Sequence, residues 1–298
     1  MKIHYRSIGL GRLCRLFGKT RQAAYEQSWH QSNQKMQEGL VLDVVREIRK
    51  SLLKNTGTIK VHGMIKDPLL LHGIRIGRDS LFKLLRKHNL LVKPRKRFVR
   101  TTQSYHEFYK WPDLTADIIP DEANQLWVSD ITYLRISTGF IYLSLITDAY
   151  SRKIVGYHLS QNLKAQSCLI ALNKAVAALT GNNTNLVHHS DRGIQYCCDL
   201  YVTALQENNI EISMTQNGSP YENAIAERIN GILKTELGLD RTFKSYTTAI
   251  EPTYKAIDAY NRLRPHMSCG YLTPEQAHLK KGKLKKIWKT KKRPVKSF

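Results

Sequence analysis

Three carboxylates carry the chemistry that this sequence offers. Asp130 lies inside the apolar run LWVSDITYLRI, flanked by Trp127, Val128, Ile131 and Tyr133. An ionised acid there is expensive unless it is paired, so it needs a partner. Asp191 follows the short run NLVHHS and precedes Arg192-Gly193, at the C-terminal end of an expected strand, where α/β sheets collect their ligands. Glu227 falls on an expected helix, with 35 residues between it and Asp191. Any single strand aspartate is more often a structural acid. Three acids at such positions form an all-oxygen donor set for Mg²⁺, which keeps several waters and needs only one or two carboxylates per ion. Two ions about 4 Å apart serve the attacking and leaving oxygens of a phosphodiester displacement. The expected cofactor is two Mg²⁺, with Mn²⁺ able to substitute.

The elements that must position these acids are legible around them. Asn217-Gly218-Ser219-Pro220 is turn chemistry, and Ser219, Pro220 and Glu222 read as N-cap, N1 and N3 of a helix over 222–237. Ile225, Ile229, Ile232, Leu233 and Leu237 form its apolar stripe. Asn223, Glu227, Asn230, Gly231 and Lys234 share another face. Glu227 and Lys234 then point the same way across side-chain-free Gly231, where a DNA backbone can lie close. Upstream, 126–136, 140–148 and 153–159 are β-rich runs with short connections, a predicted antiparallel meander. A helix over 164–179, a strand over 185–189, a helix over 199–208 and a strand over 210–215 follow, which makes a mixed α/β sheet with helices on its faces. Of the paired histidines, His188 reads as structural. His189 is left between a contact to substrate phosphate and support of Asp191.

The first hundred residues read differently. Leu10, Leu13, Leu16 and Phe17 recur at helical spacing, Gly18 breaks the run, and Thr20 can cap a helix carrying Arg21 and Gln22. This is a helix-turn-helix pattern with Arg21 where a groove-reading helix would carry it. Further helices are expected over 41–53, 58–66 and 78–90. A Pro-broken basic run then supplies Lys93, Arg95, Lys96 and Arg97. Basic residues interleaved with Tyr105, Phe108, Tyr109 and Trp111 suit a segment that tracks a phosphate backbone or stacks on bases, with a plain tether as the alternative. The expected organisation is a short helix-turn-helix at 1–38, a second helical DNA-binding unit at 39–92, a basic linker at 93–121, a catalytic core at 122–262, and a C-terminal segment with a basic tail at 263–298.

Charge agrees with that division. Residues 1–112 hold 24 Lys and Arg against 7 Asp and Glu, 113–279 hold 13 against 17, and 280–298 hold 10 against none. Basic flanks around an acidic centre fit phosphate neutralisation outside and metal inside. Double-stranded DNA is the expected partner. The five cysteines form no CxxC pair, and Cys197-Cys198 with His188-His189 fits no usual zinc spacing, so they read as thiols of a reducing compartment. The N-terminus lacks a signal-peptide apolar segment, and a bacterial cytoplasmic, nucleoid-associated location is expected.

The chain resembles the second-reading-frame (OrfB) transposases of the insertion-sequence-three family, relatives of retroviral integrases. The likeness rests on LWVSDITYL, GFIYLSLITDAYSRKIVGY, HHSDRGIQY, NAIAERINGILKTE and YNRLRPHMSCGYLTPEQA, and upstream on GIRIGRDSLFKLLRKHNLL. It implies an RNase H-like, integrase-type core in which Asp130, Asp191 and Glu227 are the metal-binding catalytic triad. Lys234 matches the basic residue that contacts substrate DNA, and Asn223, Arg264 and His266 match motifs around the site. Arg192 and Arg228 add charge beside it. The family usually has Asp where this chain has Glu222, and Ser-Phe where it has Arg228-Ile229. The implied reaction is metal-dependent cleavage and strand transfer of an insertion sequence through a copy-out route. The implied assembly is a dimer or larger oligomer on the terminal inverted repeats, with a fusion or partnership to an upstream-frame (OrfA) protein. The alternatives are a catalytically silent DNA-binding regulator and a nuclease of the same fold that joins nothing.

Overall fold

The computed structural model describes residues 9–50, 55–92, 107–115, 118–179, 185–216, 224–285 and 287. They divide into two compact units. One takes in the described residues up to 48 together with 57–92, and the other takes 49–56 with the described residues from 93 onward.

The first unit is all helical. Helix α1 (Leu10–Leu16) ends at Gly18, whose φ of 62° is left-handed, and Thr20 Oγ1 accepts from Ala23 N as the N-cap of α2 (Arg21–Lys50). The sequence reading placed a unit boundary at 38/39 and a separate helix at 41–53. The structure instead runs one 30-residue helix through that boundary. The reason is local: Gln34-Lys35-Met36-Gln37-Glu38 are helix formers, and the lone Gly39 weakens a helix without ending it. The C-terminal part of α2 packs Val41, Leu42 and Val45 on Val61 of α3 (Thr58–Met64), Ile65, Leu69 of α4 (Lys66–Leu70), and Leu81, Leu84 and Leu85 of α5 (Arg78–Lys87).

The second unit is a six-stranded sheet with helices on its faces. Strands β1 (Leu126–Ile136), β2 (Gly139–Asp148) and β3 (Ile154–Ser160) form the expected antiparallel meander. Helix α6 (Ala165–Ala177) crosses to β4 (Val187–Ser190). Helices α7 (Ile194–Cys197) and α8 (Asp199–Glu207) lead to β5 (Glu211–Met214). Both β4 and β5 run parallel to β1, so the order is β3-β2-β1-β4-β5. After α9 (Ala224–Thr235), the two-residue β6 (Thr242–Phe243) pairs with the far end of β1. An antiparallel three-strand meander continued by parallel strands is the RNase H-like arrangement. The main core places Trp127 and Ile146 against Ala171, Leu172 and Ala175 of α6 and Tyr201 and Leu205 of α8.

Gly156 sets how close α6 comes to β3. A Cβ there would collide with the Ala171 carbonyl oxygen and lie 2.9 Å from Ala175 Cβ. Gly156→Ala should therefore lower stability by at least the roughly 1–3 kcal/mol of core overpacking, read as a fall in the urea midpoint. An unchanged midpoint would show that α6 rides on the sheet more loosely than this contact implies.

The described residues beyond 262 do not form a segment separate from this unit. Helix α10 (Tyr246–Arg262) begins with a capping box at Ser245 and Thr248. The chain then turns through a 3-10 segment at Met267–Cys269 into α11 (Pro274–His278), capped by Thr273. Tyr150 Oη donates to Gly282 O at 2.8 Å, and Glu122 bridges to Lys281. This stretch buries Cys269 and Ala277 against the rest of the unit. Among the described residues, no helix is long and apolar enough to cross a membrane.

Candidate active site

Strand register places the first two acids. The parallel pairing Leu126↔Val187, Trp127↔His188 and Val128↔His189 runs β1 and β4 side by side, and Asp191, two residues past that register, is near enough for its charge to act on Asp130. Asp191 is the first residue after β4, and its Oδ1 accepts from Gly193 N at 3.0 Å. A Cβ on Gly193 would stand 3.0 Å from the same carboxylate oxygen and press on it. Helix α9 brings the third acid. Ala226 and Ile225 pack on Leu126 and Val128, Glu227 sits exposed in the first turn, and Asn230 and Lys234 follow along the helix.

Electrostatics separates Asp130 from the other strand acid. Asp148 is fully buried and satisfied: it accepts from Asn124 N, Ser151 N and Ser151 Oγ at 2.5–2.8 Å. Among the described residues, Asp130 accepts from Ile131 N at 2.9 Å and Asn230 Nδ2 at 2.6 Å. Burial, reinforced by the charge of Asp191 and more weakly of Glu227, pushes its pKa up to about 7. Burial raises Asp191 as well. The charges of Asp191 and Glu227 thus both reach Asp130. Among the described residues, no three His, Cys, Asp or Glu side chains are gathered closely enough to hold an ion.

Lys234 joins this group. Its ammonium lies 5.3 Å from the Tyr133 ring centroid, and burial lowers its pKa against the pull of Asp130.

Other expected site residues lie elsewhere. His189 is fully buried with Nδ1 2.8 Å from Ser213 Oγ, so it packs between β4 and β5 and does not reach a phosphate. His188 is structural as expected: its Nε2 lies 2.5 Å from Ser129 Oγ and 3.0 Å from Tyr201 Oη. Burial, with His189 beside it, pushes its pKa down to about 3, so the ring stays neutral. Arg264 is 1% exposed and clamps Glu236 through two hydrogen bonds, which removes it from any DNA surface. His266 turns inward on Ser268 Oγ at 2.7 Å. Arg228 is exposed, 4.0 Å from Glu236, and Arg192 is half-buried next to Asp191. Arg21 is exposed at the start of α2 in the helical unit. Asn223, Lys93, Arg95, Lys96, Arg97 and the Ser219–Glu222 capping box lie outside the described residues.

The sequence reading placed Asn230 on the right helix face but gave it no role. Its Nδ2 holds Asp130, while its Oδ1 is buried with no partner among the described residues. The signal was available: an amide three positions after Glu227, turned toward a strand acid. A hydrogen bond to a charged group contributes about 1.5–3 kcal/mol. If Asp130 must be held in place for chemistry, Asn230→Ala should slow single-turnover strand transfer by about ten- to hundredfold. A rate within twofold of wild type would make the bond incidental.

Comparison with known proteins agrees with this geometry. Residues 120–220 match the integrase core domain family, and residues 208–274 match a second integrase core domain description. The transposase for insertion sequence element IS629 of Shigella sonnei is 32% identical over 220 residues, covering 73% of this chain and 74% of that protein. An uncharacterized 31 kDa protein of insertion element IS600, also from Shigella sonnei, is 31% identical over 264 residues, covering 88% and 96%. Transposase InsF for insertion sequence IS3A of Escherichia coli is 32% identical over 214 residues, covering 71% and 74%. Among solved structures, the HTLV-2 integrase catalytic core domain in complex with magnesium aligns with TM-score 0.42 at 18% identity, over 53% of this chain and 97% of that one. With relatives of this identity spanning most of both chains, and an integrase core domain family match over residues 120–220, the chain belongs to the insertion-sequence-three family of transposases.

Proposed function

We propose that Asp130, Asp191 and Glu227 are the catalytic, metal-binding triad of this transposase, holding two Mg²⁺ ions for which Mn²⁺ substitutes. The observation that carries the reading is Asp130, a partly buried carboxyl set beside a second acid, with two hydrogen-bond donors among the described residues. Lys234 is the one cation that the described residues bring to Asp130, and an all-carboxylate donor set suits a hard divalent ion. Bound there, the ions supply activation of the attacking oxygen and stabilisation of the leaving one. The chain's own residues do the rest. Asn230 fixes the Asp130 carboxylate from α9, Gly193 N fixes Asp191, and Lys234, Arg228 and Arg192 offer positive charge to the DNA backbone.

In the first step water attacks the phosphorus at the element end. The bond to the 3′ oxygen breaks, leaving a 3′-hydroxyl and a 5′-phosphate. That hydroxyl then attacks a second phosphodiester, forming a new P–O bond and expelling the old 3′ oxygen. No protein nucleophile enters, so no covalent enzyme–DNA species forms. Joining one element end to the other yields the single-strand bridge of a copy-out route, and the resulting circle is the species inserted. Holding two ends at once calls for at least a dimer on the DNA. The helical unit with Arg21 and the basic segment with Lys93, Arg95, Lys96 and Arg97 binds the terminal repeats, in the cytoplasm and with an upstream-frame partner. These organisational readings follow the family.

The test is a strand-transfer assay with labelled element-end DNA in Mg²⁺ or Mn²⁺, comparing wild type with Asp191→Asn. Joined product from the wild type alone is expected. Joined product from both sinks the triad, and cut but unjoined ends from the wild type would make the chain a nuclease.

A further inference from the structure

Among the described residues, one face of the β1–β2 pair is covered along part of its length only. Trp127 and Ile146 on that face lie in the main core, and Ser144 still meets Cys168 of α6. Further along the same strands, Tyr133 pairs with Tyr142 and Arg135 with Phe140. Strand alternation puts all four on that face. The Tyr133 ring is edge-on to Phe140 at 6.0 Å and to Tyr142 at 6.3 Å. Phe140 is 50% exposed, and both tyrosines are partly exposed. Cations rim the rings: Arg135 stands 5.7 Å from the Phe140 centroid, and Lys234 stands over Tyr133.

Accessible aromatic faces edged by cations match a nucleic-acid strand with unstacked bases: bases stack on rings and phosphates meet the cations. A closed duplex offers phosphates and groove edges, and its base faces are hidden except at an end. The same alternation turns Asp130 to the opposite face of β1, and Lys234 links the two sides, because it lies over Tyr133 and also interacts with Asp130. We propose that Tyr133, Phe140 and Tyr142 are a stacking platform for the unpaired bases of a frayed DNA end held at the carboxylates, with Arg135 and Lys234 on the adjoining phosphates. The platform rests on the transposase reading and adds a subsite to it. Capturing melted flanking bases frees the strand to bend, so that its reacting phosphate can reach Asp130 and Asp191.

The experiment uses the full chain with Ca²⁺ in place of Mg²⁺, so that the DNA stays intact. The probe is an element-end duplex with a short unpaired flank carrying 2-aminopurine, set against its blunt counterpart. Wild type should quench the 2-aminopurine and favour the flanked end by about tenfold, the scale of one base–aromatic stack. Phe140→Leu keeps an apolar side chain without a ring and should lose most of both effects, whereas Phe140→Tyr should keep them. Equal affinity of wild type for the two ends would overturn the platform, as would undiminished quenching by Phe140→Leu. If Phe140→Leu changes the sedimentation of the protein and leaves quenching intact, the face is a subunit contact and the proposal fails. Metal-dependent joining by wild type but not by Asp191→Asn reports the carboxylates separately, so the platform can fail while the catalytic reading stands.

Discussion

Asp130→Asn is expected to abolish strand transfer and, in the absence of divalent metal, to raise the melting temperature at pH 8. Both effects follow from one carboxyl. In the folded protein its pKa is pushed up to about 7, whereas an unfolded chain leaves an aspartate near 3.9. Between about pH 4 and pH 7 the folded state therefore holds a proton that the unfolded state has released, and stability falls as pH rises through that window. Below it both states are protonated and the penalty is absent. Above it both are ionised and the penalty is complete. Asparagine is uncharged throughout and can still accept from Asn230 Nδ2. The gain in melting temperature should accordingly be small at pH 4, grow toward pH 7 and then level off. Mg²⁺ should reverse the ranking at pH 8 by stabilising wild type and leaving the variant unmoved. A variant that melts below wild type at every pH, or one that still joins ends, would mean that Asp130 is an ordinary structural acid like Asp148.

How much of this was legible before the structure depended on the kind of signal. The meander was readable because β1, β2 and β3 alternate or run apolar between short turns. The convergence of Asp130 with Asp191 followed from placing both on strands of one sheet. Continuity was harder to read. Nothing between Gln31 and Leu40 is apolar enough to mark a buried face, and that stretch of α2 passed for a boundary between units. Helix α10 was unread because Pro252 lies inside it, although Ser245 and Thr248 announce its start and Ala249, Ala256, Ile257 and Tyr260 form its buried stripe. Least legible was the burial of polar groups. Arg264, His189 and Asn230 are chemically suited to a surface or a ligand, and only the packing of α9, α10 and β5 turns each toward a protein partner.

Arg264 gives the second large effect, and it decides between family analogy and packing. Its side chain is 1% exposed, with Nε 2.9 Å from Glu236 Oε2 and Nη2 3.1 Å from Glu236 Oε1. Nη1 reaches Pro265 O at 3.4 Å, and the guanidinium stands 5.8 Å from the Tyr260 centroid. Glu236 is the residue after α9 and Arg264 lies two past α10, so the pair ties the ends of both helices together. Removing one partner of a buried ion pair leaves an uncompensated charge and costs about 3–5 kcal/mol. For a unit of this size that corresponds to a fall in melting temperature on the order of 10 °C. Arg264→Ala should show that fall. Arg264→Met combined with Glu236→Leu should recover most of it, because an apolar pair of similar volume often replaces a buried ion pair without loss. Since α9 carries Glu227, Asn230 and Lys234, activity of the single variant should fall through misplacement of that helix, and the double variant should restore both stability and joining. A DNA-contacting Arg264 predicts the opposite pattern: an unchanged melting temperature with weakened end binding that Glu236→Leu cannot repair. The double variant separates the two, because only a packing role lets the loss of a second charge undo the loss of the first.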